Sequence, residues 1–273
     1  VGEGGFALVH RARWQGAEVA AKAFRGSSEG QIPGNFCSEL VVLQRLRHPS
    51  ITQLVGYSLR PQCIIVTELV LDGSLFELLH RRKRTSATSG FSWLVELACG
   101  ICSGVTHLHA KRIVHCDLKS ANILLNGPRQ AKLCDFGLAH ALPEDSSDES
   151  GISIGCVGTH HWMAPEVLRG EEYSRAADVY SFGVILWEMI SRRPPFKGFT
   201  GPQVVGLVGY GGRRPRLPRD CPALPSLVAG NAQAAAALAP PRTRADGGAG
   251  GAPPENLWGR RGGAAGLPRG LMP

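Results

Sequence analysis

Apolar and polar positions change period several times along the chain, and each change marks an element. Residues 1–25 alternate glycine, β-branched and small apolar residues, a pattern that predicts strands. Residues 36–47 read as a helix ended by the His48-Pro49 breaker. Cys63 to Val70 is a short apolar run, predicted as a buried strand. Residues 93–109 set Leu94, Leu97, Ala98, Ile101, Val105 and Leu108 on one helical stripe. Residues 123–125 and 131–134 predict short strands around the Asn126-Gly127-Pro128 turn. A second strong helix is predicted over 177–191, with Phe182, Ile185, Leu186, Met189 and Ile190 at helical spacing. Arg192 and Arg193 suit its C-terminal dipole, and Pro194-Pro195 stops it. The pattern dissolves after residue 228. Of the 45 residues from 229 to 273, 28 are Ala, Gly or Pro. Such a segment buries too little to offset the entropy of ordering, so a disordered tail is expected. There are no internal repeats.

Composition narrows the picture. A chain of 273 residues can build one large domain or two lobes, and 43% hydrophobic residues is ordinary for a globular protein. Apolar runs such as Phe182 to Ile190 are too short to cross a bilayer, so no membrane span is expected. No secretory signal opens the chain, and a first residue of Val is what a fragment would show. The net charge is +8. Residues 1–200 hold 21 Lys and Arg against 19 Asp and Glu, whereas residues 201–273 hold 9 against 3. The excess sits in the tail, so nucleic acid is not expected as a partner of the core. Eight cysteines form no framework. Cys99 and Cys102 make one C-x-x-C inside a helical pattern, without the further ligands zinc needs, and are expected as two small buried residues on one helix face. Unpaired cysteines fit a reducing compartment, so a cytoplasmic location is expected. The run Arg81 to Arg84 reads as a solvated surface loop.

The chemistry lies in a series of short motifs. In Gly2-Glu3-Gly4-Gly5, closely spaced glycines let a backbone approach phosphates without Cβ clashes. In Val19-Ala20-Ala21-Lys22, strand alternation puts Ala20 and Lys22 on one face, a small apolar contact beside an ammonium. Glu39, on the next helix, is a candidate partner for Lys22. The strongest signal is His115-Cys116-Asp117-Leu118-Lys119-Ser120-Ala121-Asn122, followed by Asp135-Phe136-Gly137. Asp117 can accept a hydroxyl proton, and Lys119 can offset charge on a transferring phosphoryl group. Asn122 and Asp135 offer hard oxygens suited to Mg²⁺.

In this order the motifs resemble the protein kinase family over residues 1–228, with Ala164-Pro165-Glu166 and Asp178 to Gly183 completing the set. The wording is most similar to its tyrosine-kinase-like group, which includes Raf-like and mixed-lineage kinases. Asp117-Leu118-Lys119 and Gly158-Thr159 resemble the Ser/Thr members. The resemblance implies an α+β, bilobal fold: a small β-rich N-lobe (about 1–67), a hinge (68–70) and a larger helical C-lobe (71–228), then the low-complexity tail. It implies ATP and Mg²⁺ as cofactors, and transfer of the γ-phosphoryl group to Ser or Thr hydroxyls of protein substrates, with upstream kinases or scaffolds as further partners. It makes Asp117 the base and Lys119 its electrostatic partner, with Asn122 and Asp135 as metal ligands. Gly2 and Gly4 would cover the phosphates, and Lys22, held by Glu39, would grip them. Val9, Ala20 and Leu124 would sandwich the adenine. Thr67 would guard the back pocket, and Glu68 to Val70 would hydrogen-bond the base. Leu43, Leu54, His115 and Phe136 would form the stack of the active state, and Asp178 would anchor the catalytic loop.

The chain also departs from the pattern. Cys116 stands where many members carry an Arg that pairs with an activation-segment phosphate, here on residues such as Ser150, Ser153 or Thr159. Ala7 replaces the third loop glycine, and the strand before the loop is absent. The Arg that the family pairs with Glu166 has no clear counterpart, Arg242 being a remote one, which would leave a buried Glu unpaired. The chain is therefore expected to be truncated at both ends. A kinase-shaped pseudoenzyme or scaffold, binding without turnover, is the alternative to the enzyme.

Overall fold

Alternation in the first 25 residues becomes an antiparallel sheet. In the computed structural model, which describes residues 2–3, 7–25, 32–83, 85, 90–143, 151–153 and 158–216, a two-residue strand β1 (Gly2–Glu3) pairs with β2 (Ala7–Trp14). β1 consists of two residues of the glycine motif itself and forms one edge of the sheet. β2 turns into β3 (Ala17–Phe24) through Gln15 and Gly16, at φ 48° and 83°. Two left-handed residues match the twist of the flanking strands. Helix α1 (Gly34–Gln44) follows, then β4 (Leu54–Ser58) and β5 (Ile64–Glu68). The sheet order is β1-β2-β3-β5-β4. α1 ends earlier than its apolar pattern suggests. The amides of Arg45 and Leu46 donate to the carbonyls three residues back, tightening the last turn before Pro49.

The rest is mostly helical. α2 (Leu75–His80) starts at a capping box, in which Ser74 accepts from the Glu77 amide while Glu77 accepts from the Ser74 amide. α3 (Phe91–Ala110) leads to β6 (Ile113–Val114). A 3₁₀ turn at Ser120–Asn122 runs into the hairpin of β7 (Ile123–Leu125) and β8 (Ala131–Leu133). β9 (His140–Ala141) pairs back on β6. Then come α4 (Pro165–Leu168), α5 (Arg175–Ser191) and α6 (Gly201–Val204), the last continued by a π-helical turn, Val205–Tyr210.

The predicted stripe of α3 is buried in the core. Gly104 lets the helix approach β8 closely, since a Cβ there would lie 2.9 Å from Leu133 Cδ1 and 3.0 Å from the Ser50 carbonyl oxygen. By length and composition α3 passes as a membrane span, which is weak evidence, because the core helices of soluble proteins pass the same test. The C-x-x-C pair is a further correction: Cys99 is exposed and Cys102 half-buried, so the pair looks outward from α3. Residues 217–273, with the expected disordered tail and Arg242, lie outside the described residues, as do Gly4, Arg84 and Ser150.

Candidate active site

Strand pairing sets the first part of the site. β3 lies between β2 and β5, which places Val9 opposite Lys22, and Ala20 opposite Thr67. Val9, Ala20 and Thr67 are all half-buried, as is Leu124 on β7. Gly2 sits on β1 at the edge of this sheet.

Lys22 makes the predicted ion pair and a second one. Its ammonium donates to both Glu39 oxygens, at 2.9 and 2.7 Å, and to Asp135 Oδ1 at 2.7 Å. One cation between two carboxylates separates their titrations. Burial lowers the Lys22 pKa, but Glu39 and Asp135 together override it and hold the amine above its ordinary range. Burial pushes Glu39 up, against the pull of Lys22 and with help from Asp135. For Asp135, burial acts upward, and Lys22, His115 and Lys119 outweigh it, so its carboxyl lies below the usual range. Asp135 sits at φ 63°, a left-handed conformation that a non-glycine residue holds only where its surroundings fix it. The Phe136 ring beside it is fully buried, 5.1 Å from the His115 ring, while Leu43 belongs to the same core and Leu54 packs on its border.

The second part is the loop around Asp117. Lys119 Nζ donates to Asp117 Oδ2 at 2.6 Å and to Thr159 Oγ1 at 2.7 Å. Asn122 Nδ2 donates to the Asp117 carbonyl at 2.8 Å and to Oδ2 at 3.1 Å. The Thr159 amide donates to Asp117 Oδ1 at 3.2 Å. With its amide nitrogen so engaged, Asn122 has its oxygen left to meet a cation. The Cys134 amide donates to the Asn122 carbonyl at 3.0 Å, which brings the chain just before Asp135 alongside Asn122. Among the described residues no three His, Cys, Asp or Glu side chains cluster as a metal site. An Asn and an Asp alone suit Mg²⁺, which keeps waters and takes its other oxygens from phosphates.

Asp178, on α5, is fully buried and holds this loop from beneath. It accepts from the amides of His115 (2.9 Å) and Cys116 (3.3 Å), from the Tyr173 hydroxyl (2.7 Å) and from His109 Nε2 (2.9 Å). Cys116 can therefore hold φ 65°. Burial acts upward on Asp178, but His109 and His115 together keep its carboxyl below the ordinary range. Burial and Asp178 raise the Tyr173 hydroxyl well above its usual value, so it stays a donor.

The hinge shows a partner the sequence did not suggest. Glu68 accepts from Lys132 Nζ at 2.9 Å and from the Gln53 amide at 2.8 Å, so its side chain turns toward β8, while its own amide donates to the Gln53 carbonyl at 3.0 Å. Both cysteines near the site are held toward the thiol form. Burial and the nearby Asp178 push Cys116 far up, and burial and Asp135 do the same to Cys134. Glu166 is half-buried rather than buried, and among the described residues no ion pair closes on it.

Lys22, Glu39 and Asp135 meet in one cluster and Asp117, Lys119 and Asn122 in another, and comparison with known proteins gives the family. The sequence profile of the family described as protein tyrosine and serine/threonine kinase matches residues 1–233. The serine/threonine-protein kinase CTR1 of Arabidopsis thaliana is 37% identical over 238 residues, covering 84% of this chain and 28% of that protein. The probable serine/threonine-protein kinase SIS8 of the same plant is 38% identical over 240 residues, covering 84% and 22%. The probable serine/threonine-protein kinase drkA of Dictyostelium discoideum is 35% identical over 226 residues, covering 81% and 34%. The chain thus spans about a third or less of the length of these relatives. With the profile matched across most of its length, the chain belongs to the protein tyrosine and serine/threonine kinase family.

Proposed function

We infer that this chain transfers the γ-phosphoryl group of ATP to Ser or Thr hydroxyls of protein substrates. One observation carries the reading: Lys119 bridges Asp117 and Thr159, so a proton acceptor, a cation and the segment that would face a substrate meet at one point. Asp117 would orient the substrate hydroxyl and take its proton as the bond to phosphorus forms. Lys119 would offset charge at the same oxygen. Lys22, kept charged by two carboxylates, would hold the nucleotide phosphates, and Val9, Ala20 and Leu124 would pack on its base. Asn122 and Asp135 would hold Mg²⁺, which when bound neutralises phosphate charge.

The test is transfer of labelled phosphate from ATP to a generic basic protein, followed by acid hydrolysis. Label on phosphoserine and phosphothreonine is expected; label on phosphotyrosine alone would overturn the assignment, and no transfer would favour the scaffold reading. Nucleotide binding is tested separately by melting. A ligand at about 100 Kd adds about 2.7 kcal/mol to stability. MgATP should raise the Tm of the wild type by several degrees. Lys22→Met should lose most of that rise, and a variant that kept it in full would remove Lys22 from phosphate contact.

Cys116 bears on regulation. It is buried and its thiol is neutral, so it offers no cation to a phosphorylated segment. Phosphatase-treated protein is expected to keep most of its activity. Abolition of activity by that treatment would show that another cation does the task.

A further inference from the structure

A run of cations follows α2, and the mechanism above does not use it. Arg81, Arg82 and Lys83 are all exposed. Arg81 comes directly after His80, whose Nε2 lies 2.7 Å from Glu188 Oε1, and Ser120 Oγ donates to the same oxygen at 2.8 Å. Ser120 is the neighbour of Lys119, so the run starts beside the loop that carries Asp117, Lys119 and Asn122. Arg82 reaches another part of the cleft. Its guanidinium lies against Gly73, where a Cβ would meet Nη2 at 2.7 Å. Gly73 precedes Ser74, which bridges to Leu124 on β7. The run thus borders both the catalytic loop and the strand assigned to the adenine.

The end of α5 brings more positive charge to the same place. Arg192 Nη1 donates to the Leu78 carbonyl of α2 at 3.3 Å. Arg193, next in the chain, is exposed. Little acid answers these charges. Glu77 pairs with Arg81 at 3.8 Å and also accepts from the Ser74 amide. Among the described residues no other carboxylate forms an ion pair with this group. Glu188 is fully buried, and its oxygens are taken up by Ser120, His80 and Trp162 Nε1, the last at 3.0 Å. It offers nothing to a cation arriving from solvent. Residues 1–200 hold 21 Lys and Arg against 19 Asp and Glu, so the cations gathered here are a local concentration and not a share of a general excess.

We propose that Arg81, Arg82, Lys83 and Arg193 form a docking site for an acidic stretch of the protein substrate, beside the Ser or Thr that is phosphorylated. The proposal rests on the kinase reading and names the class of substrate within it. An exposed charge is a weak partner for a single carboxylate, but several acting on one peptide add up, and a guanidinium can take a carboxylate through two N–H groups. The same charges repel an acceptor rich in Lys or Arg, which makes a basic protein a poorer substrate and not an inert one. Exposed charges are screened by salt, so the preference fades as ionic strength rises.

The experiment uses the full chain and matched acceptor peptides, in which a single Ser is flanked by Glu, by Gln or by Lys. At low ionic strength kcat/KM for the Glu peptide is expected to exceed that for the Gln peptide about tenfold, and to fall toward it as salt is raised. The Lys peptide should be the poorest. The combined variant Arg81→Gln/Arg82→Gln/Lys83→Gln changes exposed side chains only. It should lose most of the Glu preference, through KM, and keep both the wild-type kcat/KM for the Gln peptide and the MgATP-induced rise in Tm. Arg193→Gln should lose a smaller part. Binding is read without transfer by fluorescence anisotropy of a labelled Glu peptide whose Ser is replaced by Ala. The wild type should hold it about tenfold more tightly than the combined variant does. If that variant does not fold, Lys83→Gln and Arg193→Gln carry the test. Equal kcat/KM for the Glu and Gln peptides in the wild type would overturn the proposal, as would a Glu preference that survives neutralisation of the run. A wild type that phosphorylates none of the peptides would overturn the kinase reading. Anisotropy then still decides the docking site: salt-sensitive binding lost on neutralisation supports it, and no binding refutes it.

Discussion

Asp117→Asn is expected to lower turnover by a factor on the order of 10² to 10⁴, the range ascribed to a positioned general base. The side chain keeps its size, but the oxygen that takes the hydroxyl proton becomes an amide. The change also turns a pure acceptor into a mixed group. Asp117 accepts from Lys119, Asn122 and the Thr159 amide. An amide NH₂ must face one of those donors, so the local geometry loosens as well. None of this touches Lys22, Glu39 or Asp135, and the MgATP-induced rise in Tm should survive. The informative result is therefore a split: binding retained, transfer lost. Equal turnover in the variant and the wild type would remove Asp117 from the role of base.

The largest effect on stability is expected at Asp178. Asp178→Ala should destabilise the fold by about 3–5 kcal/mol, the range for breaking a buried charged network. For a domain of this size that lowers Tm by roughly 10 °C. Four donors lose their acceptor: two amides in the loop, the Tyr173 hydroxyl and His109. Left buried and unpaired, they carry a desolvation penalty of their own. Asp178→Asn, which keeps one acceptor oxygen, should cost less.

The pH dependence follows from the direction of the shift. The folded-state pKa of Asp178 lies below its ordinary value of 3.8. The native state thus binds its proton less readily than the unfolded chain does. Its contribution is complete above that ordinary value and is lost as pH falls through the folded one. Urea unfolding should show a constant gap between wild type and Asp178→Ala from neutral pH down to about pH 4. The gap should narrow only below that. A gap that narrowed well above about pH 4 would overturn the assignment of this pH dependence to Asp178.

Much of the site was legible because its residues are specified by chemistry at short range. Asp117, Lys119 and Asn122 share one loop, and strand alternation alone put Ala20 and Lys22 on one face. The Lys22–Glu39 pair joins two elements 17 residues apart in the chain, and the structure closes it at 2.7 Å. Other partners were out of reach. Glu188 sits in an apolar helical stripe, which flags a buried charge, yet nothing near it in the chain names Ser120, Trp162 or His80. Likewise Lys132 and Glu68 are strand residues whose meeting depends on how β5 and β8 approach.

The amino-acid pattern alone determined the longer elements, β2, β3, α1, β5, α3, α5 and the β7–β8 hairpin, and which side chains offer phosphate, metal and proton chemistry. Periodicity and side-chain type act locally, so they can be read one segment at a time. Packing decided the rest: that Asp135 shares Lys22 with Glu39, that α3 lies in the core, that Cys99 faces outward, and that two carboxylates of α5 hold the loop from below. Buried charges choose partners by distance in space and by the need to satisfy every lone pair, and neither is encoded at any fixed spacing along the chain.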